Sequence, residues 1–209
     1  EANQTDAAAD LTEQGFEAVG ALGFGAFTLK TEGDNIILHC QGGGSSENAG
    51  SAKYVLPESF VPGTDATIIF RAKAYSAVVG FEVYFDQEGY GREKLYNEGI
   101  TLKFDRTKSN TSVSGWNPQD WNTYRLTFAY DGDKNAQVNL YINESMTISH
   151  SAYADQKAEA SYLQFGASSG SKTTEAAYDW LYLIKGEALS PKDKSLADLE
   201  AEIAERKTD

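Results

Sequence analysis

The 209-residue chain is poor in residues that staple, kink or metallate a fold, with one cysteine, one methionine, two histidines and four prolines. A single cysteine, Cys40, excludes an intrachain disulfide. Two histidines and one cysteine cannot assemble an ordinary zinc site without several carboxylates. Cys40 ends the apolar run Ile36-Ile37-Leu38-His39-Cys40, which predicts a buried and unreactive thiol. No apolar run approaches the roughly 18 residues of a membrane span. Cations are scarce, 18 Lys and Arg against 31 Asp and Glu, and the net charge of -13 argues against nucleic acid and anionic membranes as partners.

The start of the chain, EANQTDAAAD, is small, polar and acidic and has no initiator Met. It predicts a flexible spacer over residues 1–14, left by trimming or by removal of an export signal from a secreted, periplasmic or cell-surface protein.

From about Phe24 to Ile184 the chain alternates apolar and polar residues with a period of two, broken by turn clusters about every 8 to 12 residues. Val79, Phe81, Val83 and Phe85 share one face, against Glu82 and Tyr84. Ile100, Leu102 and Phe104, then Leu126, Phe128 and Tyr130, then Val138, Leu140 and Ile142 repeat the pattern. Ile68, Phe70, Ala72 and Ala74 do so against Arg71 and Lys73. Helix is expected only near the end, where Ser190-Pro191-Lys192-Asp193 reads as an N-cap followed by a first-turn proline, and Leu196, Leu199 and Ile203 form an apolar stripe. The expectation is an all-β, two-sheet antiparallel sandwich over residues 15–189. A C-terminal helix and tail over 190–209 would pack on the sandwich, on a protein partner or on a second copy.

Two stretches resemble the laminin-G-like jelly rolls of the concanavalin A-like lectin and glucanase superfamily. Trp121-Asn122-Thr123-Tyr124-Arg125-Leu126-Thr127 followed by Val138-Asn139-Leu140-Tyr141-Ile142-Asn143 is similar to that family's paired strands, with Glu144 where a glycine is usual, so the turn after Asn143 should differ. Tyr178-Asp179-Trp180-Leu181-Tyr182-Leu183-Ile184 followed by Ala188-Leu189-Ser190-Pro191 is similar to its closing strand and short helix. The resemblance implies stacked antiparallel sheets, a commonly extracellular setting and frequent sugar recognition. It transfers no catalytic residue.

Function belongs to sites rather than folds, so each candidate is weighed on its own chemistry. Aromatic rings cover the apolar C–H patches of a sugar while polar groups grip its hydroxyls. Trp116 and Asn117, in the polar loop Gly115 to Asp120, therefore lead as ligand contacts, joined by Tyr90, Arg92 and Glu93 from the glycine-flanked segment Asp86 to Glu93. Trp121 and Trp180 are expected in the core. The leading expectation is a noncatalytic carbohydrate-binding or adhesion module.

One alternative is a jelly-roll polysaccharide lyase or glycoside hydrolase. Its lyase ingredients would be His39, Arg71, Tyr84, Arg125, Tyr141 and Gln164, although the R-x-E-x-R, Q-x-H and Y-F-K-x-G-x-Y-x-Q signatures of such lyases are absent. Glu82 and Asp86, four apart on one strand, are carboxylates on what should be a solvated face. The other alternative is a structural protein-interaction domain. Calcium, common in the superfamily, could be held by Asp131 and Asp133 or by Asp34, all in ordinary turn sequences.

Overall fold

The alternating segments form antiparallel strands. The computed structural model describes residues 7–75, 79–104, 110–132, 136–152 and 159–206. In chain order the strands are β1 (Ala7–Ala8), β2 (Glu17–Val19), β3 (Phe27–Glu32), β4 (Asn35–Gly43), β5 (Gly50–Val55), β6 (Ala66–Ala74), β7 (Glu82–Gln87) and β8 (Gly91–Glu98). They continue with β9 (Thr101–Phe104), β10 (Asn110–Ser112), β11 (Asn122–Tyr130), β12 (Ala136–Ile142), β13 (Ser145–Ala152), β14 (Tyr162–Ala167) and β15 (Thr173–Lys185), before the helix α1 (Leu196–Arg206). An eight-stranded sheet runs β1-β3-β4-β15-β6-β11-β12-β13, and a seven-stranded sheet runs β10-β9-β8-β7-β14-β5-β2.

The inward phase of each strand supplies the core between the sheets, as period-two alternation requires. Ile68, Phe70 and Ala72 of β6 meet Tyr124, Leu126 and Phe128 of β11 on one side, and Val83, Phe85, Leu163 and Phe165 of β7 and β14 on the other. Tyr124 stacks on Phe70 at 5.0 Å and tilts against Phe81 at 4.6 Å, both favourable aromatic pairings. Cys40 is fully buried here, and burial pushes its thiol pKa upward, with Glu82 adding to the effect. Ile100 departs from its expected place: it occupies the two-residue β8–β9 turn and is exposed.

Of the spacer expected over residues 1–14, residues 1–6 lie outside the described residues. Ala7 and Ala8 pair with β3, and Ala9 is buried in the core. The chain then crosses to the other sheet, where β2 pairs with β5.

The turn after Asn143 also corrects its expectation. Ile142 pairs directly with Ser145, so Asn143 and Glu144 form a two-residue hairpin with φ of 49° and 66°. Positive φ at both central residues is the type I′ pattern normally given to Asn-Gly. The tight turn is kept, and a glutamate bears the left-handed conformation.

The helix begins five residues later than the Ser190-Pro191 signal suggested. Ser190 and Asp193 close a separate turn through the Asp193 carboxylate, which accepts from the Ser190 amide at 2.9 Å and hydroxyl at 2.6 Å. Ser195 caps α1 instead, its Oγ accepting from the Asp198 amide at 3.2 Å and donating to the Asp198 carboxylate at 2.6 Å. Leu199 then buries itself against the eight-stranded sheet's outer face, in a cleft beside Tyr182, Ile184 and Leu189.

Candidate functional site

Of the five ligand contacts favoured by the sequence, the four whose side chains are described do not converge. Trp116 is only 7% exposed. Its indole donates to the Tyr124 hydroxyl at 3.1 Å and stands edge-on to that ring. The surrounding loop folds back because Gly115 takes φ 76° and the Pro118 carbonyl accepts from the Ala74 amide at 2.7 Å. Trp116 thus caps the end of the core and offers no open face. Tyr90 packs edge-on to Tyr130, six positions farther along β11 than Tyr124. That separates the two rings' anchor points by about 20 Å. Asn117 is exposed but braces its own turn with Asp120 and the Gln119 amide. Glu93 shares the inward phase of β8 with Leu95 and is buried; the side chain of Arg92 lies outside the described residues.

The lyase set is divided between opposite surfaces. His39, Arg71, Arg125 and Tyr141 occupy the outward phase of β4, β6, β11 and β12 in the eight-stranded sheet, whereas Tyr84 and Gln164 lie on the outer face of the other sheet. His39 is buried, hydrogen-bonded to Glu175 at 3.1 Å and tilted onto Tyr75. Arg125 is fully buried beneath the C-terminal segment, donating to the carbonyls of Leu189 at 3.2 Å and Lys194 at 2.7 Å. Residues 186–199 thereby cover this face over β6, β11 and β15. Trp121 and Trp180 were expected in the core, yet both are only half-buried on this outer face, and Trp180 stacks on Tyr182 at 5.2 Å.

The outer face of the seven-stranded sheet is the surface on which chemistry gathers. Strand pairing sets Lys94, Tyr84, Gln164, Lys53 and Glu17 side by side as successive cross-strand partners across β8, β7, β14, β5 and β2. At the usual strand spacing this row is about 19 Å long. Tyrosines flank it: Lys94 Nζ lies 4.8 Å from the Tyr84 ring centre and 4.6 Å from that of Tyr96, and Lys53 Nζ lies 4.6 Å from Tyr162. Gln164 Nε2 donates to Ser51 Oγ at 2.8 Å, which fixes its amide.

Glu82, expected on a solvated face, is 1% exposed. Its Oε2 accepts from the Ser168 amide at 3.2 Å, the Ser168 hydroxyl at 2.6 Å and the Tyr84 hydroxyl at 3.2 Å, and Lys94 Nζ stands 3.6 Å from Oε1. A buried carboxylate is tolerated only with such donors. Ser168 starts the loop to β15, and Lys172 from that loop reaches Glu98, which also holds Lys103. Lys103, then Lys172, keep the Glu98 carboxyl below its ordinary range. The result is a braced strip of tyrosines, lysines and amides. Its sequence signal was the placing of Tyr and Lys at the outward phase of β7, β8 and β14, where small polar residues suffice for a solvated face.

Among the described residues no three His, Cys, Asp or Glu side chains gather as a metal site. Asp34 sits in the exposed β3–β4 turn and Asp131 just after β11, on separate turns, and Asp133 lies outside the described residues.

No family model and no curated protein matches the sequence. Solved structures do match in shape. Alginate lyase Aly36B superposes with a TM-score of 0.58 at 12% identity, covering 88% of this chain and 95% of that one. A carbohydrate esterase, vb_24B_21, from the Shiga toxin-encoding bacteriophage phi24B, gives 0.57 at 13% identity, covering 85% and 93%. The binding domain of botulinum neurotoxin DC, solved with rat synaptotagmin II, gives 0.59 at 13% identity, covering 88% of this chain and 46% of that one. This chain thus spans about half the length of the toxin binding domain. The shared fold is a jelly-roll β-sandwich. At these identities the likeness concerns the fold alone.

Proposed function

We propose that this chain is a noncatalytic carbohydrate-binding module that grips a polysaccharide along the outer face of its seven-stranded sheet. The carrying observation is the in-register row from Lys94 through Tyr84 and Gln164 to Lys53, edged by Tyr96 and Tyr162. A row about 14 Å long suits an extended chain better than a single small ligand. The half-buried Tyr96 and Tyr162 rings provide apolar surface, while the lysine amines and the fixed Gln164 amide reach hydroxyl or carboxylate oxygens. Structurally similar proteins named for alginate lysis and carbohydrate ester chemistry support a carbohydrate setting for this reading. A surface or secreted location belongs to the same proposal.

Affinity electrophoresis against neutral and uronic-acid polysaccharides tests it. Tyr162→Ala and Gln164→Ala should each weaken retardation by about tenfold, roughly 1.4 kcal/mol. A parent protein that no polysaccharide retards, or variants that migrate like the parent, would remove the proposal.

One arrangement favours a lyase as the second reading. Tyr84 and Gln164, a phenol and an amide suited to proton abstraction and carboxylate neutralisation, are direct cross-strand partners. The opposing observation is that the Tyr84 hydroxyl is engaged by Glu82 and Ser168.

A further inference from the structure

We infer that the opposite sheet carries a second, smaller sugar site: a single-ring pocket beside Trp121 that takes one neutral pyranose. Trp121 is a half-buried indole at the start of β11, on the outer face of the eight-stranded sheet. Next to it lies a solvent-open cavity of about 160 Å³ lined by Glu32, Asn35, Ile37, Arg71, Trp121 and Asp179. Pockets for drug-sized ligands measure roughly 300–1,000 Å³, so this one fits a single small ring.

The lining has the composition a pyranose needs. The half-buried indole supplies apolar surface for the C–H face. Glu32 and Asp179 supply acceptors, Arg71 supplies donors and the Asn35 amide supplies both. These groups are already held in place. Lys73 Nζ donates to both Glu32 oxygens at 2.6 and 2.7 Å, the Trp121 indole N–H donates to Glu32 at 3.3 Å, and Arg71 pairs with Asp179. The Arg71 guanidinium and the Lys73 amine each lie 5.0 Å from the indole centre. Fixed polar groups spare a ligand the cost of ordering them.

Charge selects the class. Arg71 and Lys73 balance Glu32 and Asp179, so the pocket is neutral overall. An anionic sugar would have to displace Asp179 from Arg71, whereas a hydroxyl can add to lone pairs that the ion pairs leave open. Extra room comes from the bulge in β15: pairing with β6 slips between Tyr178 and Trp180, which makes Asp179 the unpaired residue and sets it against Arg71.

This site stands apart from the strip proposed for polysaccharide, since the two lie on opposite outer faces, and it can be tested separately. Saturation-transfer NMR would be run with the methyl glycosides of glucose, galactose and mannose on the parent, Trp121→Ala, Asn35→Ala and Tyr162→Ala. At least one glycoside should show saturable transfer that Trp121→Ala and Asn35→Ala weaken at least tenfold and Tyr162→Ala leaves unchanged. Asn35 is exposed at the first position of β4, so its variant keeps the test valid if Trp121→Ala does not fold. Absence of saturable transfer with all three glycosides overturns the inference. Transfer lost only in Tyr162→Ala also overturns it, and would credit the other face instead.

Discussion

Arg125 Nη2 donates to Glu144 Oε2 at 2.7 Å, joining a fully buried guanidinium to the second left-handed residue of a type I′ turn. The same carboxylate oxygen accepts from the Leu196 amide at 3.2 Å, at the first residue of α1. Glutamate in that conformation costs about 1 to 2 kcal/mol that glycine would not. The contacts explain why it stands there: the turn aims a carboxylate at an arginine that also binds the Leu189 and Lys194 carbonyls. Burial depresses the Arg125 pKa and Glu144 opposes that depression.

Arg125→Ala should therefore cost about 3 kcal/mol, the low end for breaking a buried pair, because Glu144 can regain water. Glu144→Gly relaxes the turn yet leaves the guanidinium buried and unpaired, and should cost about 1 to 2 kcal/mol net. In both variants, amide hydrogen exchange over residues 189–199 should accelerate more than exchange in β7 and β14. Uniform protection in both would show that the clamp does not hold the C-terminal segment.

Trp116 and Trp180 exchange the roles their sequence surroundings implied. Trp116→Ala should destabilise the fold by about 3 to 5 kcal/mol, since a capped core would open on Tyr124. Trp180→Ala, which removes a half-exposed ring stacked on Tyr182, should cost about 1 to 2 kcal/mol. Urea titrations of the two variants beside the parent decide it. The reverse order would put Trp116 back among candidate surface contacts.

Strand phase was readable because burial enforces a period of two. The inward sets Ile68-Phe70-Ala72 and Val138-Leu140-Ile142 follow from one line of sequence. Loop aromatics carry no such constraint: Trp116 lies among Gly, Asn and Pro, and only the folded loop shows it closing the core. The surface strip was hidden for another reason. Lys94, Tyr84, Gln164 and Lys53 come from four strands spread over 112 residues of sequence, and which polar phases adjoin depends on strand order. Nothing local distinguishes Tyr84, which neighbours Gln164, from Tyr141, which neighbours Arg125 on the other sheet.

Acid should weaken the fold partly through Glu32 and Glu98. Lys73 holds the Glu32 carboxyl below its ordinary range, and Lys103 with Lys172 does the same for Glu98. A carboxylate depressed in the folded state stabilises above its unfolded pKa, near 4.3, and loses that contribution as pH falls through its folded value. The stability gap between the parent and Glu98→Gln should thus be largest near neutrality and shrink once pH drops below about 4.3. Glu32→Gln should behave likewise. Urea midpoints measured from neutral to acid pH would show this, and a gap independent of pH would mean that these ion pairs add nothing.

The division of polar residues between two faces also makes a sharp prediction about catalysis. Proton abstraction from a uronic acid needs the base within about 3 Å of its proton and a neutralising group at the adjoining carboxylate. His39, Arg71, Arg125 and Tyr141 sit across the sandwich core from Tyr84 and Gln164, so no single substrate reaches both groups. On the binding-module reading, uronic-acid polymers incubated with the parent should yield no unsaturated product at catalytic turnover. Should turnover appear, it must depend on the seven-stranded face alone: Tyr84→Phe would abolish it, and His39→Ala would leave it unchanged apart from any loss of stability. Activity that His39→Ala destroys in a still-folded protein would place the reaction on the eight-stranded face instead. Activity that only Tyr84→Phe destroys would instead replace the binding module with a lyase on the same strip.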